Sequence, residues 1–195
     1  MESLRSFIST RLETERLYLR GFRAGDGGWY YSVGQRNRNH LAKYESDNVA
    51  LAAKNCEEAE DIVLELADIW EKRKSFFLAG FEKATDEFVV QVYIGPVNIN
   101  LPEYQIGYFV DQSHEGKGYA TEAVKATLTY TFENLKAYRV SLECDDTNER
   151  SWRVAERCGM IKEGHRRQNK KNADGTFSGT LYYGLLRSEF KAFGR

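Results

Sequence analysis

The segment from Gln105 to Val124 (QIGYFVDQSHEGKGYATEAV) carries the clearest chemical signature in the chain. An apolar run that predicts a strand ends at Val110, and Gly116-Lys117-Gly118 then opens a stretch with helical periodicity. Glycines at such a turn let backbone N–H groups point into one concavity, where the helix dipole adds partial positive charge. The spacing therefore predicts a phosphate or pyrophosphate site, although two glycines at a strand-to-helix turn also occur as a plain structural turn.

Two common phosphate motifs do not fit this loop. A Walker A loop needs glycine five residues before the Gly-Lys pair and serine or threonine directly after it, and here Asp111 and Gly118 hold those places. The dinucleotide fingerprint needs a third glycine or alanine where Thr121 stands. Neither a P-loop nor a dinucleotide-binding enzyme is indicated.

The glycine loop resembles the coenzyme A loop of the Gcn5-related N-acetyltransferase superfamily. That family's pattern is Gln/Arg-x-x-Gly-x-Gly/Ala, and the continuation Thr121-Glu122-Ala123 is typical of its Rim-type branch, which acetylates protein N-termini. Glu115 stands at the first position of the pattern, where the family has glutamine or arginine. We expect the Glu115 carboxylate to face away from the pyrophosphate, which the backbone N–H groups of the loop bind. The resemblance implies that the cofactor is held by Glu115, Gly116, Lys117, Gly118, Tyr119, Ala120 and Thr121.

A second match follows in Thr147–Met160 (TNERSWRVAERCGM), which resembles the family's Asn-x-x-Ser helix ending in glycine and a large apolar residue. Asn148 is predicted to cap this helix and Gly159 to end it in the left-handed conformation, as in any helix with these residues. The resemblance adds a contact between Asn148 and the pantetheine arm. The likeness covers residues 14 to 190 of what we interpret as one domain, 1–195.

Acetyl transfer from a thioester requires a neutral amine, a stabilised oxyanion and a leaving thiolate. The resemblance implies that a backbone N–H of Phe109 or Val110 binds the thioester oxygen. Glu143 matches the catalytic glutamate of one ribosomal N-terminal acetyltransferase subfamily, and acts either as a base through water or only as a strand-end carboxylate. The family's general-acid tyrosine is replaced by Ala155, so Ser151 is the candidate residue beside the coenzyme sulfur.

A site whose acid and base groups are weak favours an α-amine as the acceptor. An α-amino group has a pKa of about 7.7–8.0 and a lysine about 10.4, so far more of the former is neutral near pH 7. With the Rim-type resemblance, this favours an acetyl-coenzyme A-dependent N-acetyltransferase acting on a protein N-terminus. Two alternatives stay open: a small-molecule enzyme acting on a polyamine, aminoglycoside or amino acid, and a non-catalytic coenzyme A-binding regulator.

The remaining elements predict a mixed α+β sheet, the acyl-coenzyme A N-acyltransferase fold, with a central parallel strand pair splayed around the cofactor. A strand–helix–strand crossover from Gln105 to Cys144 makes its two strands parallel neighbours, and residues 29–51 predict short helices. Predicted strands are Thr14–Phe22, Ser75–Phe81, Phe88–Ile99, Gln105–Val110, Arg139–Cys144, Ile161–Gln168 and Thr180–Leu186. Predicted helices are Cys56–Lys72, Tyr119–Leu135 and Arg150–Arg157.

Composition narrows the class of protein further. A formal net charge of -1 over 195 residues argues against nucleic-acid binding, despite a basic patch at His165–Lys171. The three cysteines form no Cys-x-x-Cys pair or Cys/His cluster, so the sequence indicates neither a disulfide framework nor a metal site. We therefore expect a protein of the reducing cytoplasm. No apolar run approaches the ~18 residues of a membrane span. The resemblance also implies a homodimer as a common state.

Overall fold

Eight strands form one mixed sheet in the computed structural model, which describes residues 11–98, 100–172 and 174–193. The strand order is β1-β2-β3-β4-β5-β6-β8-β7, and every pair is antiparallel except β5 with β6. The strands are β1 (Arg11–Glu13), β2 (Leu17–Gly21), β3 (Phe76–Glu82), β4 (Phe88–Asn98), β5 (Glu103–Val110), β6 (Arg139–Asp145), β7 (Ile161–Lys171) and β8 (Phe177–Leu186). The helices are α1 (Gly27–Ala42), α2 (Cys56–Glu71), α3 (Tyr119–Glu133) and α4 (Glu149–Arg157).

The parallel pair in the middle of the sheet is short. β5 and β6 are in register only at Glu103 with Arg139, Tyr104 with Val140 and Gln105 with Ser141. Beyond these three pairs the two strands diverge, while β4 stays paired with β5 as far as Val110. The predicted crossover and its splayed parallel pair are therefore confirmed.

Helices cover both faces of the sheet because side chains alternate along its strands. Ile106 on β5 and Leu142 on β6 join Leu128 and Phe132 of α3 in one cluster of buried side chains. Phe109 lies on the opposite face of β5 from Ile106, and it joins a second cluster with residues of α1 and α2. Each fully buried large apolar side chain contributes about 1.5–3 kcal/mol, so the divergent strands are held apart by two packed layers.

Two predicted elements differ from the structure. Thr14–Phe22 is not one strand, because Thr14 Oγ1 accepts a hydrogen bond from the Leu17 backbone N–H in a turn between β1 and β2. Residues 29–51 contain one 16-residue helix, α1, followed by a 3₁₀ turn at Val49–Leu51, instead of short helices. The apolar pattern of α1 is weak because its buried face includes Gly34 and Asn37, and a Cβ at Gly34 would lie 2.0 Å from the Ala50 carbonyl.

Smaller differences concern one helix face and the ends of elements. Asn55 caps α2, and the buried face of the helix is Ala59, Val63 and Leu66. Of the stripe Ile62, Leu66, Ile69 and Trp70 that helical periodicity predicts, Leu66 is buried and the other three are only partly buried. The predicted end of β4 at Ile99 and the domain ends at 1–10 and 194–195 lie outside the described residues.

Candidate active site

The glycine loop between β5 and α3 has the predicted strand-to-helix geometry. Gly116 and Gly118 have φ of +76° and +84°, the left-handed region where a side chain costs about 1–2 kcal/mol. Gly118 is the N-cap of α3, and no side chain caps the helix there. The first-turn N–H groups of α3 are therefore available to a ligand, together with the positive end of the helix dipole.

Arg16, which sequence analysis missed, fastens this loop to the start of β2. Its Nη1 donates to the Lys117 carbonyl at 2.9 Å, and its guanidinium lies 4.5 Å above the Tyr119 ring. Its Nε also donates to Glu122 Oε2 at 2.7 Å. Burial raises the pKa of Glu122, but hydrogen bonds from Thr14 and Arg16 outweigh it and hold that pKa below its usual value. These contacts of Arg16, which we call the clamp, fix the carbonyl of Lys117, the residue between the two glycines.

The side chain of Glu115 is directed toward other protein groups. Its carboxylate pairs with Arg150 of α4, and its Oε1 lies 3.3 Å from His40 Nε2 at the end of α1. Because Arg150 neutralises this carboxylate, the negative charge at the first loop position is compensated within the protein.

A cavity of about 450 Å³ opens where β5 and β6 diverge. It brings together four residues singled out from the sequence, Phe109, Glu143, Asn148 and Ser151. Val110 and the loop Glu115–Thr121 do not line it. The cavity wall is completed by residues of three other regions, the segment after α1 (Tyr44, Glu45, Asp47, Asn48, Val49), strands β3 and β4 (Phe77, Gln91, Tyr93), and β5 and β6 (Gly107, Tyr108, Leu142, Cys144, Asp145).

Strand geometry distinguishes between the two backbone candidates on β5. The Asp111 N–H donates to the Val89 carbonyl of β4 at 2.9 Å, and successive N–H groups of a strand point to opposite edges. The Phe109 N–H therefore points toward β4 as well, whereas the Val110 N–H points to the edge that β6 has left. Val110 is the residue whose N–H faces the divergence.

Ser151 is positioned by its helix cap and by a tyrosine. Asn148 Oδ1 accepts from the Ser151 N–H at 3.2 Å, which confirms Asn148 as the N-cap of α4, and Gly159 after that helix has a φ of +78°. The Tyr108 hydroxyl donates to the Ser151 carbonyl at 3.0 Å and lies 3.1 Å from Ser151 Oγ. A hydroxyl pair thus occupies the divergence, on the side of the sheet that α4 covers.

Cys144 lies beside this hydroxyl pair in the cavity wall. Burial raises the pKa of its thiol to about 11, although a hydrogen bond with Ser151 lowers it in part. The thiol is therefore protonated at neutral pH. Burial likewise raises the pKa of Tyr108 well above its usual value.

Two glutamates of the cavity differ in environment. Glu143 is exposed on β6, opposite Tyr182 of β8. Glu45, which sequence analysis missed, is half-buried after α1 and accepts a hydrogen bond from Asn48 Nδ2 at 2.6 Å. Burial raises the pKa of Glu45, and the Asn48 hydrogen bond offsets this only in part. No periodic pattern in residues 43–48 signals this position, so only the tertiary fold reveals it.

The charged side chains lining the cavity are all acidic. They are Glu45, Asp47, Glu143 and Asp145, and no lysine or arginine stands among the lining residues. Asp145 is partly neutralised by Lys170, 3.8 Å away. A positively charged ligand is therefore favoured over an anionic one in this space.

The fold and this divergence define a known class: the chain belongs to the acetyltransferase (GNAT) domain family, whose model matches residues 16–161. Among curated relatives, probable N-acetyltransferase YjcK of Bacillus subtilis (strain 168) is 46% identical over 66 residues, 34% of this chain and 36% of the relative. The ribosomal-protein-serine acetyltransferase of Escherichia coli (strain K12) is 29% identical over 115 residues, 56% of this chain and 64% of the relative. For YjcK and three other curated relatives from Bacillus subtilis, the aligned part spans 36% to 51% of the relative's length.

Solved structures share the whole fold. The ribosomal-protein-S5-alanine acetyltransferase of Vibrio fischeri superposes with a TM-score of 0.81 at 20% identity, covering 94% of this chain and all of that one. RimL, a ribosomal L7/L12 α-N-protein acetyltransferase solved in complex with coenzyme A, gives 0.80 at 18% identity, covering 90% and 97%. These likenesses confirm the predicted acyltransferase fold.

Two absences hold for residues 11–98, 100–172 and 174–193. None of their helices is both long and apolar enough to cross a bilayer. Within the same part of the chain, no group of three or more His, Cys, Asp or Glu side chains is arranged to hold a metal ion.

Proposed function

We propose that this protein is a single-domain N-acetyltransferase that moves the acetyl group of acetyl-coenzyme A to the α-amine of a protein N-terminus. The observation that carries the proposal is the three-residue pairing of β5 with β6, which opens into a cavity next to a glycine loop at a helix N-terminus. A thioester arm can run through the divergence while its pyrophosphate lies on the loop. The family match and the ribosomal-protein acetyltransferases among the relatives support the same reading.

The proposed roles follow from placement. The residues from Glu115 to Thr121 bind the pyrophosphate through backbone N–H groups, and Asn148 contacts the pantetheine arm. The Val110 N–H, which faces the divergence, donates to the thioester oxygen as negative charge develops there, and Phe109 shapes the cavity wall. Ser151 hydrogen-bonds to the leaving sulfur. A cavity carboxylate takes the amine proton, and the family resemblance gives this position to Glu143.

The acidic lining of the cavity supports a second candidate acceptor. A polyamine is a primary amine with further positive charges, and four carboxylates exceed what one ammonium group neutralises. A Vibrio cholerae relative, spermidine N(1)-acetyltransferase, is 32% identical over 63 residues, 32% of this chain and 35% of that protein. Spermidine is therefore the small-molecule acceptor to test beside peptides.

The test is a coenzyme-release assay with acetyl-coenzyme A and a panel of N-terminal peptides, spermidine, an aminoglycoside and free amino acids. Turnover with a peptide, and mass spectrometry showing one acetyl group on its α-amine, is the expected result. Preferential turnover of spermidine would replace the protein acceptor by a polyamine. Binding of acetyl-coenzyme A with no turnover of any amine would overturn the enzyme proposal and favour a coenzyme A-binding regulator.

A further inference from the structure

We propose that Glu45, rather than Glu143, is the catalytic residue that binds the acceptor's ammonium group and takes its proton. This inference rests on the proposed acetyl transfer and names a group that neither the glycine loop nor the Asn-x-x-Ser helix contains. It follows from where the segment after α1 lies relative to the divergence of β5 and β6.

The position of Glu45 suits a role in binding the acceptor. Glu45 lies in the segment that closes the cavity opposite β5 and β6, and its neighbours Tyr44, Asp47 and Asn48 line the same space. Tyr44 reaches across to α4, where its hydroxyl donates to the Thr147 carbonyl at 3.4 Å. The segment therefore bridges α1 and the start of α4, and it carries one half-buried carboxylate, that of Glu45, in the cavity wall.

Glu45 also shares the cavity with the groups at the reacting end of the proposed thioester. Burial is the main cause that raises the pKa of Tyr108, whose hydroxyl contacts Ser151, and the negative charge of Glu45 adds to it. Glu45, Tyr108 and Ser151 line one cavity, so the Glu45 carboxylate shares the space where the thioester would cross the sheet. Glu143, by contrast, is exposed on β6. Glu143 lines the same cavity, but its side chain stands in contact with solvent.

Glu45 is held in place but keeps the capacity to accept a proton. Its Oε2 accepts one hydrogen bond, from Asn48, and Asn48 is itself fixed because its Oδ1 accepts from the Ala50 N–H at 3.0 Å. The titratable and hydrogen-bonding groups that share the cavity with Glu45 are neutral or acidic. They are Tyr44 and Asp47 of its own segment, Tyr93 of β4, Tyr108 of β5, Glu143, Cys144 and Asp145 of β6, and Asn148 and Ser151 of α4.

The chemistry balances with the groups named. The ammonium form of the acceptor transfers one proton to the Glu45 carboxylate and becomes a neutral amine, whose lone pair attacks the thioester carbon. The C–S bond then breaks, the thiolate leaves with the electron pair, and the second nitrogen proton passes to the sulfur side near Ser151. Glu45 returns its proton to solvent, and the products are the amide and coenzyme A.

Burial suits Glu45 to this role. Because burial raises its pKa, the carboxylate form is a stronger base than an ordinary glutamate, and it is protonated at a higher pH. A base works best with a pKa close to the working pH. The rate should therefore rise with pH through the raised pKa of Glu45, as the carboxylate form is populated.

The test compares wild type, Glu45→Gln and Glu143→Gln by kcat across pH, with Glu65→Gln as a control because Glu65 is an exposed glutamate of α2 outside the cavity. We expect Glu45→Gln to lower kcat by about 100-fold or more at pH 7. It should also abolish the low-pH limb of the profile, the range in which kcat rises with pH as Glu45 loses its proton. Glu143→Gln should keep that limb. Hydroxylamine, an acceptor that is already neutral at pH 7, should restore near wild-type acetyl transfer in Glu45→Gln.

Each outcome decides the matter. A full-strength Glu45→Gln enzyme, or loss of the low-pH limb in Glu143→Gln alone, overturns the assignment to Glu45 and leaves the acetyltransferase proposal standing. No turnover by the wild type overturns both. Calorimetry with acetyl-coenzyme A checks that Glu45→Gln is folded. If it does not bind, the profile of Glu45→Asp decides: a displaced limb supports the proposal, and an unchanged limb overturns it.

Discussion

Replacing Glu122 by glutamine tests whether the N-terminal strands hold the glycine loop in place. The Glu122 carboxylate accepts three hydrogen bonds, from Thr14 Oγ1 at 2.6 Å, the Arg16 N–H at 2.8 Å and Arg16 Nε at 2.7 Å. Glutamine keeps one acceptor oxygen but turns an NH₂ group toward the Arg16 guanidinium, donor against donor. The substitution therefore removes the charge and at least one hydrogen bond while hardly changing the volume.

The expected loss follows from these contacts. A hydrogen bond to a charged group contributes about 1.5–3 kcal/mol, and the three bonds to one carboxylate are not additive. The Arg16 side chain is 42% exposed and that of Glu122 17%, so solvent screens part of the interaction. We expect a loss of about 2 kcal/mol, which for a chain of this length lowers Tm by roughly 4–8 °C.

Thermal unfolding at pH 7 measures this loss, with Glu133→Gln as the matched control because Glu133 is an exposed glutamate of the same helix. The folded-state pKa of Glu122 is depressed, so its stabilisation is present above the ordinary pKa of glutamate and is lost as pH falls through the lower folded value. The gap in Tm between wild type and Glu122→Gln should narrow in acid. A Tm within about 1 °C of wild type at pH 7, or a gap that widens as pH falls, refutes the clamp.

Three further substitutions test the cofactor site. Gly118→Val should weaken acetyl-coenzyme A binding about tenfold or more in calorimetry, because valine is disfavoured at a φ of +84°, and unchanged affinity would exclude the loop. Glu115→Gln releases Arg150 from its ion pair, so affinity should stay equal or rise by less than ~1 kcal/mol; a large loss would show that the carboxylate itself binds the cofactor. Ser151→Ala should lower single-turnover acetyl transfer less than Glu45→Gln does, because a thiol of pKa about 8.5 leaves readily as thiolate. An equal or greater loss would make Ser151 the principal proton donor.

The sequence predicted the central part of the fold because local rules determine it. Gly116 and Gly118 mark a turn that only glycine adopts easily, and the cap of α4 at Asn148 needs one side-chain acceptor in front of a helix. The crossover between β5 and β6 follows from the handedness of such units. In each case the signal lies within a few residues of its structural consequence.

The parts that were missed depend on contacts between distant residues. Arg16 and Glu122 are 106 positions apart, so no local pattern joins them. The sequence predicts for Tyr108 only a place in the apolar run of β5. The packing of α4 against the sheet is what brings its hydroxyl to Ser151. The segment that holds Glu45 follows a helix whose own buried face contains Gly34 and Asn37, so its apolar periodicity is weak. The glycine loop was therefore predictable, and the cavity wall formed by the segment after α1 was not.

The short contact between β5 and β6 also gives the molecule a mechanical axis. Strands β1 to β5 form one plate and β6 to β8 another, each cross-linked by antiparallel ladders. The backbone ladder joins the plates only from Glu103 to Gln105, at one end of β5. A rotation of the plates about that end widens the gap most at Val110, and it breaks none of the hydrogen bonds inside either plate. The width of the gap at Val110 can thus change without loss of a backbone hydrogen bond inside either plate, while the side chains packed under α3, which come from both plates, limit that rotation.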